Sequence, residues 1–224
     1  MGSQHSFIIS DLHLGSEFFC REKFLSWLDG LEPEAQLILN GDIIEDSAAA
    51  LCAGHRAVLE RLVQESHRRP LVWIYGNHDA DVVLEDSGRI KFAHQWAIGQ
   101  RLLVMHGNSL DKIMPRHRVF KKLFSFFHHV LMSLGFQRMH VAQYAKKWAF
   151  LYQFLNRHVA EEALRVAREK GFEAVTCGHT HAAMEIRQDG RRYLNTGAWT
   201  EEPLHYVAVN AREIGLHIYD GRLA

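Results

Sequence analysis

The chain has 224 residues, a length that suits one substantial core or two small ones. Hydrophobic residues make up 47% and charged residues 23%, the proportions of an ordinary globular protein, which excludes a fibrous or low-complexity chain. Lysine plus arginine equals aspartate plus glutamate at 26 each, so the overall charge selects no nucleic-acid partner and any basic face is local.

The opening "MGSQHSFIISDLHLG" has no basic region followed by a long apolar stretch, so no signal peptide is expected. "FIIS" (7–10) then reads as a short buried strand that breaks into polar "DLHLGS". "CREKFLSWLDGL" (20–31) is helical in pattern, with Phe24, Trp27, Leu28 and Leu31 on one face. "QLILNGD" (36–42) repeats the strand plan. "HRAVLERLVQESHRR" (55–69) repeats the helical one with Val58, Leu59, Leu62 and Val63. Two more runs, "PLVWIYGNHD" (70–79) and "RLLVMHGN" (101–108), again end in Gly, Asn, Asp or His.

The stretch from about 111 to 170 stands apart, because its pattern is almost wholly helical. Arg116, Arg118, Lys121 and Lys122 are interleaved there with Phe120, Phe124, Phe126 and Phe127, and His117, His128 and His129 lie among them. The second half, 142–171, is expected to close at Gly171. "FEAVTCGHTH" (172–181) is a fifth strand with a polar end. A DG turn joins strand-like runs in "AAMEIRQDGRRYLNTG", and "HYVAVN" and "IGLHIYDG" read as a further antiparallel pair. Strand–helix alternation followed by hairpins implies an α/β domain with a mixed sheet, or more than one sheet. No apolar run approaches the ~18 residues of a membrane span. The three cysteines, Cys20, Cys52 and Cys177, form no CxxC pair and no evident disulfide framework, which points to a reducing, cytoplasmic setting.

The chemistry lies in the polar residues just past each strand. The five ends supply Asp11 and His13; Asp42, with Glu45 nearby; Asn77, His78 and Asp79; His106; and His179 and His181. In open α/β sheets, ligands bind at the carboxyl ends of the strands. A donor set of carboxylate, amide and imidazole, without cysteine, suits Mn, Fe, Co or Zn better than Ca or a thiolate site. It is too large for one ion, and a two-metal site with ions about 3.5–4 Å apart needs a bridging carboxylate, for which Asp42 is the candidate.

"DLH" (11–13), "GDIIE" (41–45), "GNHD" (76–79), "HG" (106–107) and "GHTH" (178–181) resemble, in order, the five motifs of calcineurin-like metallophosphoesterases. The resemblance covers nearly the whole chain. It implies a single domain over 1–224, a four-layer α/β/β/α sandwich with a helical insert, and a metal-dependent phosphoester or diphosphate hydrolase. It implies that Asp11, His13, Asp42 and His181 hold one divalent ion, and Asp42, Asn77, His106 and His179 the other, with Mn foremost. His78 would contact the phosphate or protonate the leaving group, Asp79 would fix the tautomer of His78, and Glu45 would stand behind the ligands.

"FIISDLHLGS", the insert after "MHGN", "VTCGHTHAAM" and "YLNTGAWTEE" are similar to the branch containing UDP-2,3-diacylglucosamine diphosphatases and their paralogues. That resemblance implies cleavage of a lipid-linked pyrophosphate to UMP and a lipid phosphate in lipid A synthesis. It also implies a protein peripheral on the inner membrane, whose insert receives acyl chains. Arg116, Arg118, Lys121, Lys122, Phe120 and Phe124 are the candidate substrate contacts. The chain departs from the diphosphatases at His78, where they carry Arg, and at Asn108, where Asp usually follows "HG". Two alternatives stand beside this reading: a phosphodiesterase or phosphatase on a soluble ester such as a nucleotide, and a metal-binding scaffold without chemistry.

Overall fold

The structure is a computed structural model that describes residues 5–46, 50–111 and 149–223, with the backbone alone at 149–152. The expected substrate contacts Arg116, Arg118, Phe120, Lys121, Lys122 and Phe124 lie outside the described residues. So do His117, His128 and His129.

All five expected strands form, and each ends before the polar residues of its motif. They are β1 (Ser6–Ile9), β2 (Gln36–Asn40), β3 (Leu71–Ile74), β6 (Leu102–Met105) and β7 (Ala174–Cys177). The ladder stops where the apolar run stops, and the polar residues are left on loops. Two short strands with no clear sequence signal, β4 (Lys91–Ala93) and β5 (Gln95–Ile98), carry the chain from one sheet to the other. The hairpins are β8 (Met184–Gln188) with β9 (Arg191–Asn195), and β10 (Leu204–Val209) with β11 (Ile214–Tyr219). Asp189 and Gly190 both take positive φ, 50° and 72°, the backbone of a two-residue turn matched to strand twist.

The first sheet has the order β11-β10-β1-β2-β3-β4 and the second β5-β6-β7-β9-β8. Pairing is parallel among β1, β2, β3 and β4, and among β6, β7 and β9; it is antiparallel at β10, β11, β5 and β8. Helices α1 (Arg21–Gly30) and α2 (Ala53–Arg68) cover the outer face of the first sheet. Helix α3 (Ala149–Lys170) covers the outer face of the second.

Alternation along each strand builds three separate cores. Phe7, Ile9, Leu37, Leu39 and Trp73 face Phe24, Trp27, Leu28, Val58 and Leu62 of the helices. Ile8, Ile38, Val72 and Ile74 face Leu102, Val104, Ala174 and Leu194 between the sheets. Leu103, Met105, Val175 and Tyr193 face Val159, Ala163, Leu164 and Ala167 of α3. The result is helices, sheet, sheet, helix. Strands buried on both faces read as unbroken apolar runs, as these do.

Helix α3 ends where expected. Gly171 (φ 78°) donates to Arg168 O at 3.2 Å, and Phe172 donates to Ala167 O at 2.8 Å. That pair of bonds is a left-handed glycine cap. On α2 the buried face departs from the expected stripe. Glu65 and Ser66 are buried along with Val58 and Leu62, while Leu59 and Val63 are only partly covered. Glu65 is neutralised by Arg61, Arg68 and Arg69, at 3.0, 3.3 and 2.7 Å.

Candidate metal centre

The polar strand ends meet along one edge shared by the two sheets. Asp11, His13, Asp42, His179 and His181 all adopt positive φ between 53° and 65°. Among the described residues, one other non-glycine residue does so, Asp189 in its hairpin turn. Left-handed backbone is costly for residues with a Cβ, and Asp and His tolerate it better than most. Each such residue reverses the chain just beyond its strand. Loop-to-loop bonds hold these turns: Asp11 N–H donates to Gly41 O and His13 N–H to Asp42 O, both at 3.0 Å. The glycines of "GNHD" and "GHTH" permit the close approach. A Cβ on Gly76 would clash with the Asp42 carboxylate, and one on Gly178 with Asp11 and Ser10.

Three trios of donor atoms result, each with its atoms within 4.8 Å of one another: Asp11/His13/His181 and Asp42/His106/His179, which answer the expected ligand sets, and His13/Glu45/His78. In the first, His13 Nε2 lies 3.1 Å from His181 Nε2, and Asp11 Oδ1 lies 3.2 Å from His181 Nε2. In the second, His106 Nε2 lies 3.2 Å from Asp42 Oδ2. Asn77 Oδ1 lies 2.9 Å from His179 Nδ1, so Asn77 joins the second trio. Asp42 is also felt by His78 and His13. The GHTH loop thus delivers His179 to one trio and His181 to another.

Two of these rings are held from behind. His106 Nδ1 bonds the Asn40 carbonyl at 2.8 Å, and His13 Nδ1 lies 2.5 Å from Glu45 Oε2. Such partners orient a ligating imidazole and fix its tautomer.

The electrostatics call for positive charge. Burial works against ionised Asp11 and Asp42. The neighbouring histidines outweigh it, chiefly His181 for Asp11 and His106 for Asp42, and both acids sit below the usual carboxylate range. Burial likewise opposes a charged His106, but Asp42 and then Asp11 overcome this and push its pKa up to about 10. A proton held that firmly between buried carboxylates occupies a place where a divalent cation fits, since metal and proton compete for the same donors.

One expected role is not met. Asp79 does not orient His78. Its carboxylate is fully buried and accepts from Ile43 N–H (2.8 Å), Gly76 N–H (2.7 Å) and Trp73 Nε1–H (3.0 Å). It braces the two loops that carry Asp42 and Asn77. Burial, and then the charge of Asp42, raise its pKa. The Glu45 backbone carbonyl, 2.8 Å from His78 Nδ1, takes the orienting place instead. His78 N–H also donates to Asp42 Oδ1 at 2.8 Å.

Several residues beneath the site carried no motif of their own. Asn195 Nδ2 reaches Gly178 O (2.8 Å), Tyr193 Oη (3.0 Å) and Thr180 Oγ1 (3.2 Å), and its Oδ1 accepts from Gly197 N–H (2.8 Å). Ser10 and Thr196 hydroxyls meet at 2.6 Å, tying the end of β1 to the end of β9. Trp199 is buried in the aromatic core against Trp27 and Phe24. Its backbone N–H donates to Asp11 O at 3.0 Å, so "NTGAW" is the floor of the site. Cys177 is buried, its thiol pushed up by that burial, and it is no candidate thiolate ligand. Asp111, 3.2 Å from His179 Nε2, likewise belongs to no motif.

A two-sheet α/β sandwich with oxygen and imidazole donors gathered at its strand ends is the framework of a metal-dependent phosphoester hydrolase. Residues 6–183 match the family described as calcineurin-like phosphoesterase, and the chain belongs to that family, which holds divalent metals in a dinuclear site. No curated protein matches it. Among solved structures, it is similar to Vacuolar Protein Sorting 29 from Cryptosporidium parvum, with TM-score 0.54 and 14% identity over 99% of this chain and 95% of that one. It is similar to a cold-active protein-tyrosine phosphatase of a Shewanella species, with TM-score 0.53 and 14% identity over 98% and 79%. A single mutant of Vps29 from Entamoeba histolytica gives TM-score 0.52 and 13% identity over 99% and 96%. At such identities the likeness is one of fold. No helix among the described residues is long and apolar enough to cross a membrane.

Proposed function

We propose that this chain is a dinuclear phosphohydrolase whose substrate is the pyrophosphate of a UDP-2,3-diacylglucosamine-like lipid, cleaved to UMP and a lipid phosphate at the inner membrane surface. The observation that carries the hydrolase reading is the gathering of the Asp11/His13/His181 and Asp42/His106/His179 trios at the strand ends. Asp11, His13, Asp42 and His181 would hold the first ion, and Asp42, Asn77, His106 and His179 the second. Mn is the first choice of metal, with Fe, Zn or Co accepted by the same donors. When bound, two such ions supply a water acidified to near neutral pH and neutralise charge on the phosphoryl oxygens.

The protein groups do the rest. His78 Nδ1–H donates to Glu45 O, which aims Nε2 away from that carbonyl; with a hydrogen on Nε2 as well, the ring would donate to the phosphoryl oxygen or hand that proton to the leaving oxygen. Asp79 keeps the Asp42 and Asn77 loops in register through its three donors. Glu45 holds His13.

The lipid substrate is supported by sequence: the four stretches shared with the diphosphatase branch and the basic, Phe-rich segment at 116–127. His78 in the place of Arg favours a second reading, a soluble phosphodiester or monoester. The two separate in one assay. Purified protein with Mn is offered UDP-2,3-diacylglucosamine in detergent micelles, bis-p-nitrophenyl phosphate and p-nitrophenyl phosphate. Release of UMP, much faster than nitrophenol, is expected. Nitrophenol release without UMP would sink the lipid reading, and no hydrolysis of any of the three would sink the enzyme.

A further inference from the structure

We infer that Asp111 is the positioning residue for His179, holding its Nε2–H so that Nδ1 is presented to the second ion; this rests on the dinuclear reading above. Asp111 Oδ2 lies 3.2 Å from His179 Nε2, and the Asp111 side chain is only 3% exposed. A carboxylate only accepts, so it selects the tautomer with hydrogen on Nε2. The other ring nitrogen is then a bare lone pair. It lies 2.9 Å from Asn77 Oδ1, itself an acceptor. Acceptor facing acceptor at that distance is repulsive unless both share a cation. The two ring nitrogens point away from one another, so Asp111 stands behind His179 and not among the donors.

The arrangement completes a pattern. Glu45 stands behind His13, the Asn40 carbonyl behind His106, and Asp111 behind His179. Asp111 is placed by the turn after β6. Leu110 N–H donates to Gly107 O at 3.0 Å, and the Leu110 side chain is buried in the α3 core. Asp111 reaches across 68 positions of sequence to its histidine.

The test is titration of metal-free protein with Mn by calorimetry, together with the visible spectrum of the Co-loaded protein. Wild type, Asp111→Asn and Asp111→Ala are compared, the first variant being isosteric and the safer to fold. Wild type is expected to take up two ions. In Asp111→Ala the weaker ion should bind about 10–100-fold less tightly, with a smaller loss in Asp111→Asn and the tighter ion within about twofold. The Co spectrum should change in only one of two sites, and the melting temperature of the metal-free protein should hold. Both variants binding both ions as wild type does overturns the inference and leaves the metal centre standing. Equal weakening of both ions also overturns it, since that is damage to the whole loop. Wild type that takes up no second ion overturns the dinuclear reading and this inference with it.

Discussion

Replacing Asn195 with alanine removes the side chain that joins the GHTH loop to the end of β9. Asn195 is wholly buried. Its loss strands the Gly197 N–H where water does not reach, while the Gly178 carbonyl keeps the Thr180 N–H at 2.7 Å. A buried polar group left without its partner costs about 1–3 kcal/mol, which is the loss expected from the Gly197 N–H. Against a total of about 5–15 kcal/mol for a typical domain, that is a large share. Urea denaturation of the metal-free protein reads it directly. The midpoint should fall while the slope with denaturant stays constant. Thr196→Val, which removes the hydroxyl contacts with Ser10 and with the Cys177 carbonyl, serves as the mild control at about 0.5–1.5 kcal/mol. A second consequence distinguishes this residue from Asp111. The loop that Asn195 holds carries both His179 and His181, so both ions should bind less tightly. A loss of less than about 1 kcal/mol in Asn195→Ala would refute the reasoning, because the loop would then have found other partners.

Asp42→Asn and His106→Ala should each nearly abolish turnover and cut the bound metal measured by elemental analysis; full activity in either would sink the ligand assignment. Chelation should lower the melting temperature and Mn should restore it, since an ion at about 100 times its Kd adds about 2.7 kcal/mol. Glu65→Ala should destabilise by about 3–5 kcal/mol, because it leaves buried Arg69 without its carboxylate; an unchanged urea midpoint would contradict this. Glu185 is held below its ordinary value of 4.5 by hydrogen bonding to Arg192, and then by Arg187. Its contribution is therefore complete above that ordinary value and lost as pH falls through the lowered one. The acid limb of melting temperature against pH should be shallower in Glu185→Gln.

The large elements were legible because their cause is local. Apolar runs gave five strands, and the Phe24, Trp27, Leu28 face gave α1. The DG turn gave the β8–β9 hairpin. What escaped has a distant cause. Asp79 stands beside His78 in sequence, which invited pairing, yet its carboxylate is captured by Trp73 and by two loop N–H groups. Glu65 lies on the buried side of α2 because three arginines neutralise it, which no period of 3.6 reveals. β4 and β5 are half-exposed and carry Lys91, Gln95 and Trp96 in place of an apolar run. Asp111 has its partner 68 positions away, and Asn195 reaches the GHTH loop 17 and 15 positions away, so no spacing rule finds them.

The left-handed residues explain why the five short motifs are so informative. A strand delivers side chains to its two faces, and both faces here are already filled by cores. A donor at the strand end reaches the shared edge only if the backbone turns out of the ladder, and positive φ does that in one residue. Each such residue carries strain of about 1–3 kcal/mol, which persists only where neighbours over-determine it. The neighbours are other site loops. Asp11 accepts from His179 N–H at 3.1 and 3.2 Å, so a carboxylate of the first sheet fixes a loop of the second. His78 N–H is fixed by Asp42 in the same way. Donor geometry and loop geometry are therefore one network. Asp and His recur at these turns for two reasons that coincide: they are the donors a divalent ion accepts, and they are among the few side chains that tolerate the backbone which presents them.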